Sequence, residues 1–221
     1  MLDPVSILVL AAGDPGVAVE APPHDLVIAA DSGLDLADSL GLSVDLIIGD
    51  MDSVSERALR RAEEDGIDVE RHPRAKDRTD LELAMSEAVA RGATAIHVMV
   101  GAGGRLDHAS ANLAVLASPE WGGVAVSGTV GRSRVWVVRG QLDLMLPIGE
   151  LVSLLPIGGP AIGVTTSGLE WQLEREELSP YSARGVSNVV VSPTVTIDVE
   201  SGVLLAVNSP MRPNARGAVR G

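Results

Sequence analysis

The sequence has no cysteine and no phenylalanine, and Lys76 is the one lysine among its seventeen basic residues. The missing cysteine excludes disulfides, thiolate catalysis and structural zinc–thiolate sites. Because only 2% of the residues are aromatic, the core must be built from Val, Leu, Ile and Ala, which suit sheets packed under short helices. With 46% hydrophobic and 21% charged residues, the 221-residue chain has enough apolar mass for one large or two small folded domains.

The chain also has few positive charges and no long apolar run. Seventeen basic residues against thirty acidic ones give a net charge of −13, which argues against a general nucleic-acid binder and against docking to anionic membranes. No apolar run approaches the roughly 18 residues of a membrane helix, and no signal peptide opens the chain. We therefore expect a cytoplasmic protein.

The pattern of hydrophobic residues differs between the two halves of the sequence. In the first part, short apolar runs such as 5–11 and 95–100 alternate with stretches of helical spacing, which is typical of an α/β domain with a mainly parallel sheet. After Pro119 come short stretches rich in Val, Leu and Thr, starting at 123–127, which predict an antiparallel β-sandwich. The expected organisation is an α/β domain at 1–120, a β-sandwich at 121–209 and a disordered tail at 210–221.

An acidic motif, IIGDMDS at residues 47–53, places Asp50 and Asp52 two positions apart just beyond a short predicted strand. In extended backbone both carboxylates point the same way, and open α/β sheets bind ligands at the edge where their strands end. Two hard oxygen ligands at this spacing suit Mg²⁺. The competing interpretation is an Asp-rich turn in which Asp52 or Ser53 merely caps the next helix.

A second motif, KDRTDLELA at residues 76–84, marks the start of a helix. Thr79 and Glu82 have the spacing of a capping box, which places Asp80 in the first helical turn. The positive end of the helix dipole keeps that carboxylate ionised and ready for a metal, and Lys76 can offset charge on a phosphate. The competing interpretation is an ordinary capped helix start.

A third motif, GAGGRLDH at residues 101–108, joins a predicted strand to a predicted helix. Gly103 and Gly104 let the backbone approach a phosphate closely, and the helix N-terminus supplies free N–H groups. Arg105 can hold a phosphate through two hydrogen bonds. The competing interpretation is a tight glycine turn capped by Asp107.

A fourth pair of motifs lies in the second half, SGLEWQL at 167–173 and GVSN at 185–188. Trp171 can stack on a flat heteroaromatic ring, and Ser187 and Asn188 can bind the polar edge of such a ring. The competing interpretation is a core or interface tryptophan of the sandwich, beside an ordinary turn at the start of a strand.

Taken together, these motifs resemble the thiamine pyrophosphokinase family. The resemblance covers nearly the whole chain, in order: AADSG (29–33), IIGDMDS, HPRAKDRTDLELA (72–84), GAGGRLDH with Asn112, TTSGLEWQL (165–173) and GVSN. It implies an α/β domain followed by a β-sandwich, in a homodimer with the active site at the subunit interface. It also implies transfer of the terminal pyrophosphoryl group of ATP to the hydroxyethyl group of thiamine, with release of AMP and a requirement for Mg²⁺.

The resemblance further implies a role for each matched residue. The metal is carried by Asp50, Asp52 and Asp80, and the other catalytic carboxylates are Asp31, Asp77 and Asp107. Of these, Asp107 would orient the thiamine hydroxyl or accept its proton. The ATP-binding residues are Ser32, Gly33, Lys76, Thr79, Gly103, Gly104, Arg105, His108 and Asn112, and the thiamine-binding residues are Thr165, Trp171, Ser187 and Asn188.

The departures from the family pattern are small, and the motifs leave room for related functions. Met51 stands where Phe or Leu is more common, and Ser32 where a second Gly is common, and neither conflicts with the expected chemistry. Pterin pyrophosphokinases look similar in the N-terminal half, so the choice of substrate depends on the C-terminal motifs. The motifs are also compatible with a catalytically silent thiamine- or nucleotide-binding module and with a phosphohydrolase that uses the same carboxylates.

Overall fold

The computed structural model of the chain describes residues 4–11, 20–101 and 105–210. The predicted turn glycines Gly103 and Gly104, and all but the first residue of the predicted tail, lie outside the described residues. The chain divides into two compact units, Met1–Arg132 and Ser133–Gly221.

The first unit is built on a parallel sheet. Its strand order is β6-β5-β1-β2-β3-β4, and each neighbouring pair is parallel, which confirms the predicted α/β domain. In chain order its elements are β1 (Ser6–Ala11), β2 (Leu26–Ala30), α1 (Gly33–Leu40), β3 (Leu46–Gly49), α2 (Glu56–Glu64), β4 (Asp68–Arg71), α3 (Asp80–Ala90), β5 (Ala95–Val100), α4 (Leu106–Leu116), a 3₁₀ turn (Pro119–Trp121) and β6 (Ala125–Val130).

The helix starts test two of the predictions. At α3 the capping box is confirmed, because Thr79 Oγ1 accepts the backbone N–H of Glu82 at 3.2 Å while the Glu82 carboxylate accepts that of Thr79 at 2.8 Å. At α2 the capping residue is Ser55, so the interpretation in which Asp52 or Ser53 merely caps this helix is wrong. None of the helices in the described part of the chain is long and apolar enough to cross a membrane.

The main core cluster of the first unit is built from aliphatic and methionine side chains, in line with the prediction from composition, and Trp121 is buried elsewhere in the same unit. Leu8 and Leu10 of β1 and Ile47 of β3 are fully buried and pack with the small apolar side chains of α1 and α2. Gly33 opens α1 so close to β1 that a Cβ atom there would lie 2.0 Å from the Leu10 carbonyl oxygen. A side chain at this position would push the helix off the sheet, so packing alone requires glycine.

The second unit is an antiparallel sandwich, as predicted. Its strands pair in the orders β12-β9-β14-β7 and β11-β10-β13-β8, with antiparallel register throughout. Both sets contribute to one aliphatic core, for example Leu154 and Leu204 from the first and Val164 and Ile197 from the second. The strands are β7 (Ser133–Val138), β8 (Leu142–Met145), β9 (Leu151–Pro156), β10 (Ala161–Ser167), β11 (Glu176–Leu178), β12 (Asn188–Val189), β13 (Thr194–Asp198) and β14 (Leu204–Ser209).

One strand assignment from the sequence was wrong. The stretch 123–127 was expected to open the antiparallel sandwich, but β6 pairs in parallel with β5, with Val126 opposite Ile96. Its alternating short apolar pattern does not reveal the direction of the neighbouring strand, which depends on tertiary pairing. The first unit therefore includes this strand, and the domain boundary near residue 120 stays a prediction.

His97 of β5 is a buried titratable residue, and it leads to a prediction about how the stability of the first unit depends on pH. Its ring lies against two hydroxyls of β6, with Nδ1 2.8 Å from Ser127 Oγ and Nε2 3.0 Å from Thr129 Oγ1. Burial lowers the pKa of His97 from 6.5 to about 4. Because the unfolded chain takes up the proton first, the free energy of unfolding should fall as pH drops from about 6.5 to about 4, by roughly 3 kcal/mol in all.

Urea unfolding at a series of pH values checks this expectation. The variant His97→Gln lacks the titrating ring, so its free energy of unfolding should fall less steeply with acid over the same interval. Equal slopes for the variant and the natural protein would show that His97 does not govern this pH dependence.

Candidate active site

The acidic motif lies at the carboxyl edge of the parallel sheet, where two neighbouring strands end together. Asp31 directly follows β2 and Asp50 directly follows β3, and these strands pair in parallel with Ala30 opposite Ile48. The backbone N–H of Asp31 donates to the Ile48 carbonyl at 2.8 Å and so continues this pairing beyond β2. Strand adjacency therefore brings together carboxylates that are distant in sequence, at the edge where open α/β sheets bind ligands.

Three carboxylates form a compact cluster at this edge. Asp31, Asp50 and Asp52 each offer an oxygen, and these oxygens all lie within 4.8 Å of one another. The backbone N–H of Asp52 donates to Asp50 Oδ1 at 3.0 Å, and this bond is the main reason why the pKa of Asp50 is lowered. Asp50 is thus held ionised within the cluster.

Asp31 is the buried member of the cluster, with 8% of its surface exposed. The hydroxyl of Ser53 donates to its Oδ2, whereas its Oδ1 is buried and has no hydrogen-bond partner among the described residues. Burial raises the pKa of Asp31, and the charges of Asp80 and Asp50 raise it further against the Ser53 hydrogen bond. A buried oxygen without a partner is costly, so a cation here would relieve both its desolvation and the repulsion.

Basic side chains surround these carboxylates. Lys76 Nζ donates to Asp80 Oδ1 at 2.6 Å, and the lysine side chain is only 15% exposed. Arg74 lies 3.1 Å from Asp52 Oδ2, but 83% of its side chain is exposed. One cation is therefore held close within the site, while the other stands at its rim.

A cavity of about 470 Å³ joins these groups. Its acidic wall is a set of hard oxygen donors, which fits Mg²⁺, and this wall includes Asp31 Oδ1, for which the described part of the chain supplies no hydrogen-bond partner. The same cavity has cationic and small apolar walls suited to a polyphosphate and its attached group. It is lined by Ala11, Ala30, Asp31, Asp50, Asp52, Ser53, Arg74, Lys76, Arg78, Thr79, Asp80, Leu81, His108, Ala111 and Asn112.

The structure brings many of the predicted residues into this cavity but not all of them. The sequence predicted a metal site made of Asp50, Asp52 and Asp80. In the structure the third carboxylate of the compact cluster is Asp31, and Asp80 instead accepts a hydrogen bond from Lys76. Both carboxylates line the cavity, so the role predicted for Asp80 stays a prediction. The predicted residues that line the cavity are Asp31, Asp50, Asp52, Lys76, Thr79, Asp80, His108 and Asn112, and those that do not are Ser32, Gly33, Asp77, Arg105 and Asp107.

Arg105 and Asp107 pair with each other instead. The guanidinium of Arg105 lies 2.5 Å from Asp107 Oδ2, and both side chains are exposed at the start of α4. This hydrogen bond lowers the pKa of Asp107.

Sequence reasoning missed several residues that shape this site. Ser53 orients Asp31, Arg74 meets Asp52, and Arg78 lines the cavity while its guanidinium is held by Ser86 and Glu120. A signal was present in the basic residues at 74, 76 and 78, because Arg74 and Arg78 flank the predicted phosphate-binding Lys76 within one short segment. The backbone is also unusual here, with left-handed φ values of 49° at Asp31 and 64° at Met51, as is common at functional sites.

Gly49 is a further missed residue and leads to a prediction. Its φ is +152°, and a Cβ atom would lie 3.0 Å from Asp80 Oδ1 and 3.1 Å from Asp31 Cβ. Gly49→Ala should therefore displace both carboxylates and lower turnover by roughly 10- to 100-fold, since small misplacements at a reacting centre have large effects.

Gly66→Ala is the matched control for this prediction. Gly66 also has positive φ, +72°, but apart from its chain neighbours none of the described residues places an atom within 4 Å of its Cβ position. Both variants carry backbone strain and should melt earlier, yet only Gly49→Ala should lose activity. Similar kinetic constants for the two variants would show that Gly49 does not shape the site.

The second unit has its own pocket, of about 470 Å³, beside Trp171. Trp171 is 59% exposed, which contradicts the interpretation that it belongs to the sandwich core. Of the predicted thiamine residues, Trp171 and Asn188 line this pocket and Thr165 and Ser187 do not. Its lining residues are Leu154, Trp171, Gln172, Leu173, Arg184, Gly185 and Asn188.

Comparison with known proteins identifies the family. Residues 20–124 match the family model described as thiamin pyrophosphokinase, catalytic domain, and residues 141–204 match thiamin pyrophosphokinase, vitamin B1 binding domain. The chain belongs to the thiamine pyrophosphokinase family. It is thus an enzyme that forms thiamine diphosphate by pyrophosphoryl transfer. The resemblance to this family seen in the sequence motifs is confirmed.

Individual members of the thiamine pyrophosphokinase family support this placement. A thiamine pyrophosphokinase of Bacillus subtilis is 24% identical over 197 residues, covering 84% of this chain and 88% of that protein. Thiamine pyrophosphokinase 2 of Arabidopsis thaliana is 29% identical over 173 residues, covering 74% of this chain and 65% of that protein. The crystal structure of the Bacillus subtilis enzyme shares the fold, with a TM-score of 0.80 at 22% identity over 94% of this chain and all of the other.

Proposed function

We propose that this enzyme transfers the pyrophosphoryl group of ATP to the hydroxyl of thiamine, giving thiamine diphosphate and AMP, and that it requires Mg²⁺. The main support is the cavity of the first unit, which combines three clustered carboxylates with a nearly buried lysine. One of these carboxylates has a buried oxygen that no described residue binds. Transfer of a pyrophosphoryl group depends on positioning and charge neutralisation more than on covalent chemistry, and this arrangement supplies both.

The carboxylates are proposed to hold the metal. Asp50 and Asp52 offer oxygens beside the buried Oδ1 of Asp31, and Asp80 stands next to them on α3. Bound Mg²⁺ would neutralise phosphate charge and polarise the phosphorus under attack. Ser53 keeps Asp31 turned so that its Oδ1 remains directed to this role.

The basic side chains are proposed to bind the phosphates. Lys76 is held in place by Asp80, while Arg78, which also lines the cavity, has its guanidinium bound by Ser86 and Glu120. The exposed side chain of Arg74 is free to turn from Asp52 towards a phosphate oxygen. The predicted nucleotide contacts of Ser32, Gly33 and Arg105, and the catalytic roles of Asp77 and Asp107, remain proposals carried by the resemblance alone.

Thiamine is proposed to stack on Trp171. An indole that is 59% exposed and lines a pocket offers a face for a flat ring, and the thiazolium of thiamine is cationic, so a cation–π attraction adds to the stacking. The charge of −13 favours the approach of such a substrate. Thr165 and Ser187 complete the proposed thiamine set.

The family resemblance extends the proposal to assembly and location. We propose a homodimer with the active site at the subunit interface, in the cytoplasm. Light scattering coupled to gel filtration should then give twice the chain mass of 22.9 kDa. A species of one chain mass that retains full activity would overturn the dimer.

A product analysis tests the reaction. With ATP, Mg²⁺ and thiamine, the purified protein should form AMP and thiamine diphosphate in equal amounts. Formation of ADP with thiamine monophosphate would instead indicate transfer of one phosphoryl group, and inorganic phosphate released without thiamine would indicate a phosphohydrolase. A preference for a hydroxymethylpterin over thiamine would indicate a pterin pyrophosphokinase, and calorimetric binding without product would indicate a silent binding module.

A further inference from the structure

We propose that Asn188 is a positioning residue, which holds the backbone of Trp171 so that the indole is presented to the pocket, and that it does not itself bind the polar edge of thiamine. The inference rests on the proposed function, in which thiamine stacks on Trp171. It replaces the direct contact expected of Asn188 from the motif GVSN.

The side-chain amide of Asn188 is engaged by the main chain. Its Oδ1 accepts the backbone N–H of Trp171 at 3.0 Å and that of Val189 at 2.9 Å, and its Nδ2 donates to the Trp171 carbonyl at 2.6 Å. An amide oxygen has two lone pairs, so the acceptor capacity of Asn188 is filled. The residue is 8% exposed, which leaves little of it for a ligand.

The contacts define which way the amide faces. The backbone N–H groups of Trp171 and Val189 both point at one terminal atom of the amide, and the Trp171 carbonyl points at the other. The first atom must therefore be the oxygen, which accepts, and the second the nitrogen, which donates. Both polar backbone groups of Trp171 are thereby bound by one side chain. This closed pair of hydrogen bonds fixes the position of the residue and the direction in which its side chain leaves the backbone.

Trp171 needs such a clamp because packing does not hold its side chain. The surrounding loop is tied at both ends, by the Glu170 N–H to the Val189 carbonyl at 2.9 Å and by the Leu173 N–H to Thr166 Oγ1 at 2.9 Å. Between these ties the indole stands 59% exposed. The amide of Asn188 acts on the residue in the middle, where the loop would otherwise be free to turn.

Asn188 is itself held on the sheet. It pairs with Val152 of β9, and the preceding Gly185 lies so close to β9 that a Cβ atom would be 2.2 Å from the Leu154 carbonyl oxygen. Ser187 between them has a left-handed φ of 61°, and its N–H donates to Ser153 Oγ at 3.0 Å. A strained conformation persists only where its surroundings determine it, so the sheet transmits its rigidity through Asn188 to Trp171.

A fixed indole improves thiamine binding by lowering the entropy lost on stacking. Loosening it should weaken thiamine binding while leaving the phosphate chemistry alone. The expected signature of Asn188→Ala is therefore a rise in the KM for thiamine on the order of tenfold, with kcat and the KM for ATP within about twofold of the natural enzyme.

Hydrogen exchange tests the clamp without any ligand. In Asn188→Ala the amide of Trp171 should exchange at least about tenfold faster than in the natural protein. Leu144→Ala is the matched control, since Leu144 is a buried core residue of the same unit on β8, which pairs with β13 and not with β9. It should lower stability but leave both the Trp171 amide and the KM for thiamine unchanged, so a general loss of stability is separated from loss of the clamp.

A thiamine analogue distinguishes positioning from direct contact. If Asn188 acts through Trp171, Asn188→Ala should weaken the binding of thiamine and of an analogue with carbon in place of a pyrimidine ring nitrogen by the same factor, since the second Nδ2 hydrogen of Asn188 could contact thiamine only through such an acceptor. A loss confined to thiamine would overturn the inference, as would an unchanged Trp171 amide or an unchanged KM for thiamine. If the natural protein forms no thiamine diphosphate at all, the proposed function fails instead, and the exchange measurement still reports on the clamp.

Discussion

Asp31→Asn should yield a protein that resists heat better than the natural enzyme and has lost most of its activity. The natural carboxylate has a buried Oδ1 without a partner in the described residues and lies in the field of Asp50 and Asp80. The neutral amide of the variant can still accept the hydrogen bond from Ser53, and it is not repelled by the negative charges of Asp50 and Asp80. We expect stabilisation of about 1 kcal/mol, or roughly 2–4 °C in Tm, together with a loss of turnover of roughly 100-fold or more.

Thermal unfolding with and without Mg²⁺ makes this test specific. Mg²⁺ should raise the Tm of the natural protein, since a ligand that binds the folded state stabilises it, and should raise that of Asp31→Asn much less. Asp68→Asn, at an exposed aspartate of β4, is the control and should behave as the natural protein in both assays. Near-normal turnover in Asp31→Asn would remove Asp31 from the metal site.

Lys76→Arg should lower turnover by roughly 10- to 100-fold although it preserves the charge. The ammonium of Lys76 fits against Asp80 Oδ1 at 2.6 Å in a position where only 15% of the side chain is exposed. A guanidinium is larger, planar and less able to act as a compact point charge, so it would displace Asp80 or stand further from the phosphates. We expect the loss mainly in kcat, because the lysine is proposed to bind phosphate charge that shifts during transfer.

The control for Lys76→Arg is the reverse substitution, arginine to lysine, at an exposed position. Arg60→Lys alters a side chain that is 64% exposed and pairs with Glu56 in the same helix, so turnover should not change. Steady-state rates of AMP formation for both variants give the comparison. If Lys76→Arg retains the rate of the natural enzyme, the single lysine of the sequence has no special role and its place in the motif is a matter of composition.

The parts of the site that were predictable are local in sequence. The capping box of Thr79 and Glu82 depends on a spacing of three residues, and the pairing of Asp50 with Asp52 in one acidic cluster on a spacing of two. The alternation of strands and helices likewise predicted a parallel sheet, because each element shows its own hydrophobic period. Such features need no knowledge of what lies on the neighbouring strand.

The parts that were not predictable depend on pairing between distant segments. Asp31 joins Asp50 and Asp52 because β2 and β3 are neighbours in the sheet, and no spacing in the sequence encodes that adjacency. The same reason explains why β6 was assigned to the wrong kind of sheet. Gly49 was overlooked because its importance lies in the side chains that approach it from other elements.

By itself, the sequence determined the chemistry available to this protein: an aliphatic core, no thiol, one lysine, and carboxylates and glycines in the order typical of thiamine pyrophosphokinases. Only the tertiary structure decided how these groups are used. It selected the buried Asp31 as the third carboxylate of the cluster and turned the amide of Asn188 onto the backbone of Trp171. The physical reason is that composition and local spacing specify which groups a chain carries, whereas strand order and close packing specify which of them meet.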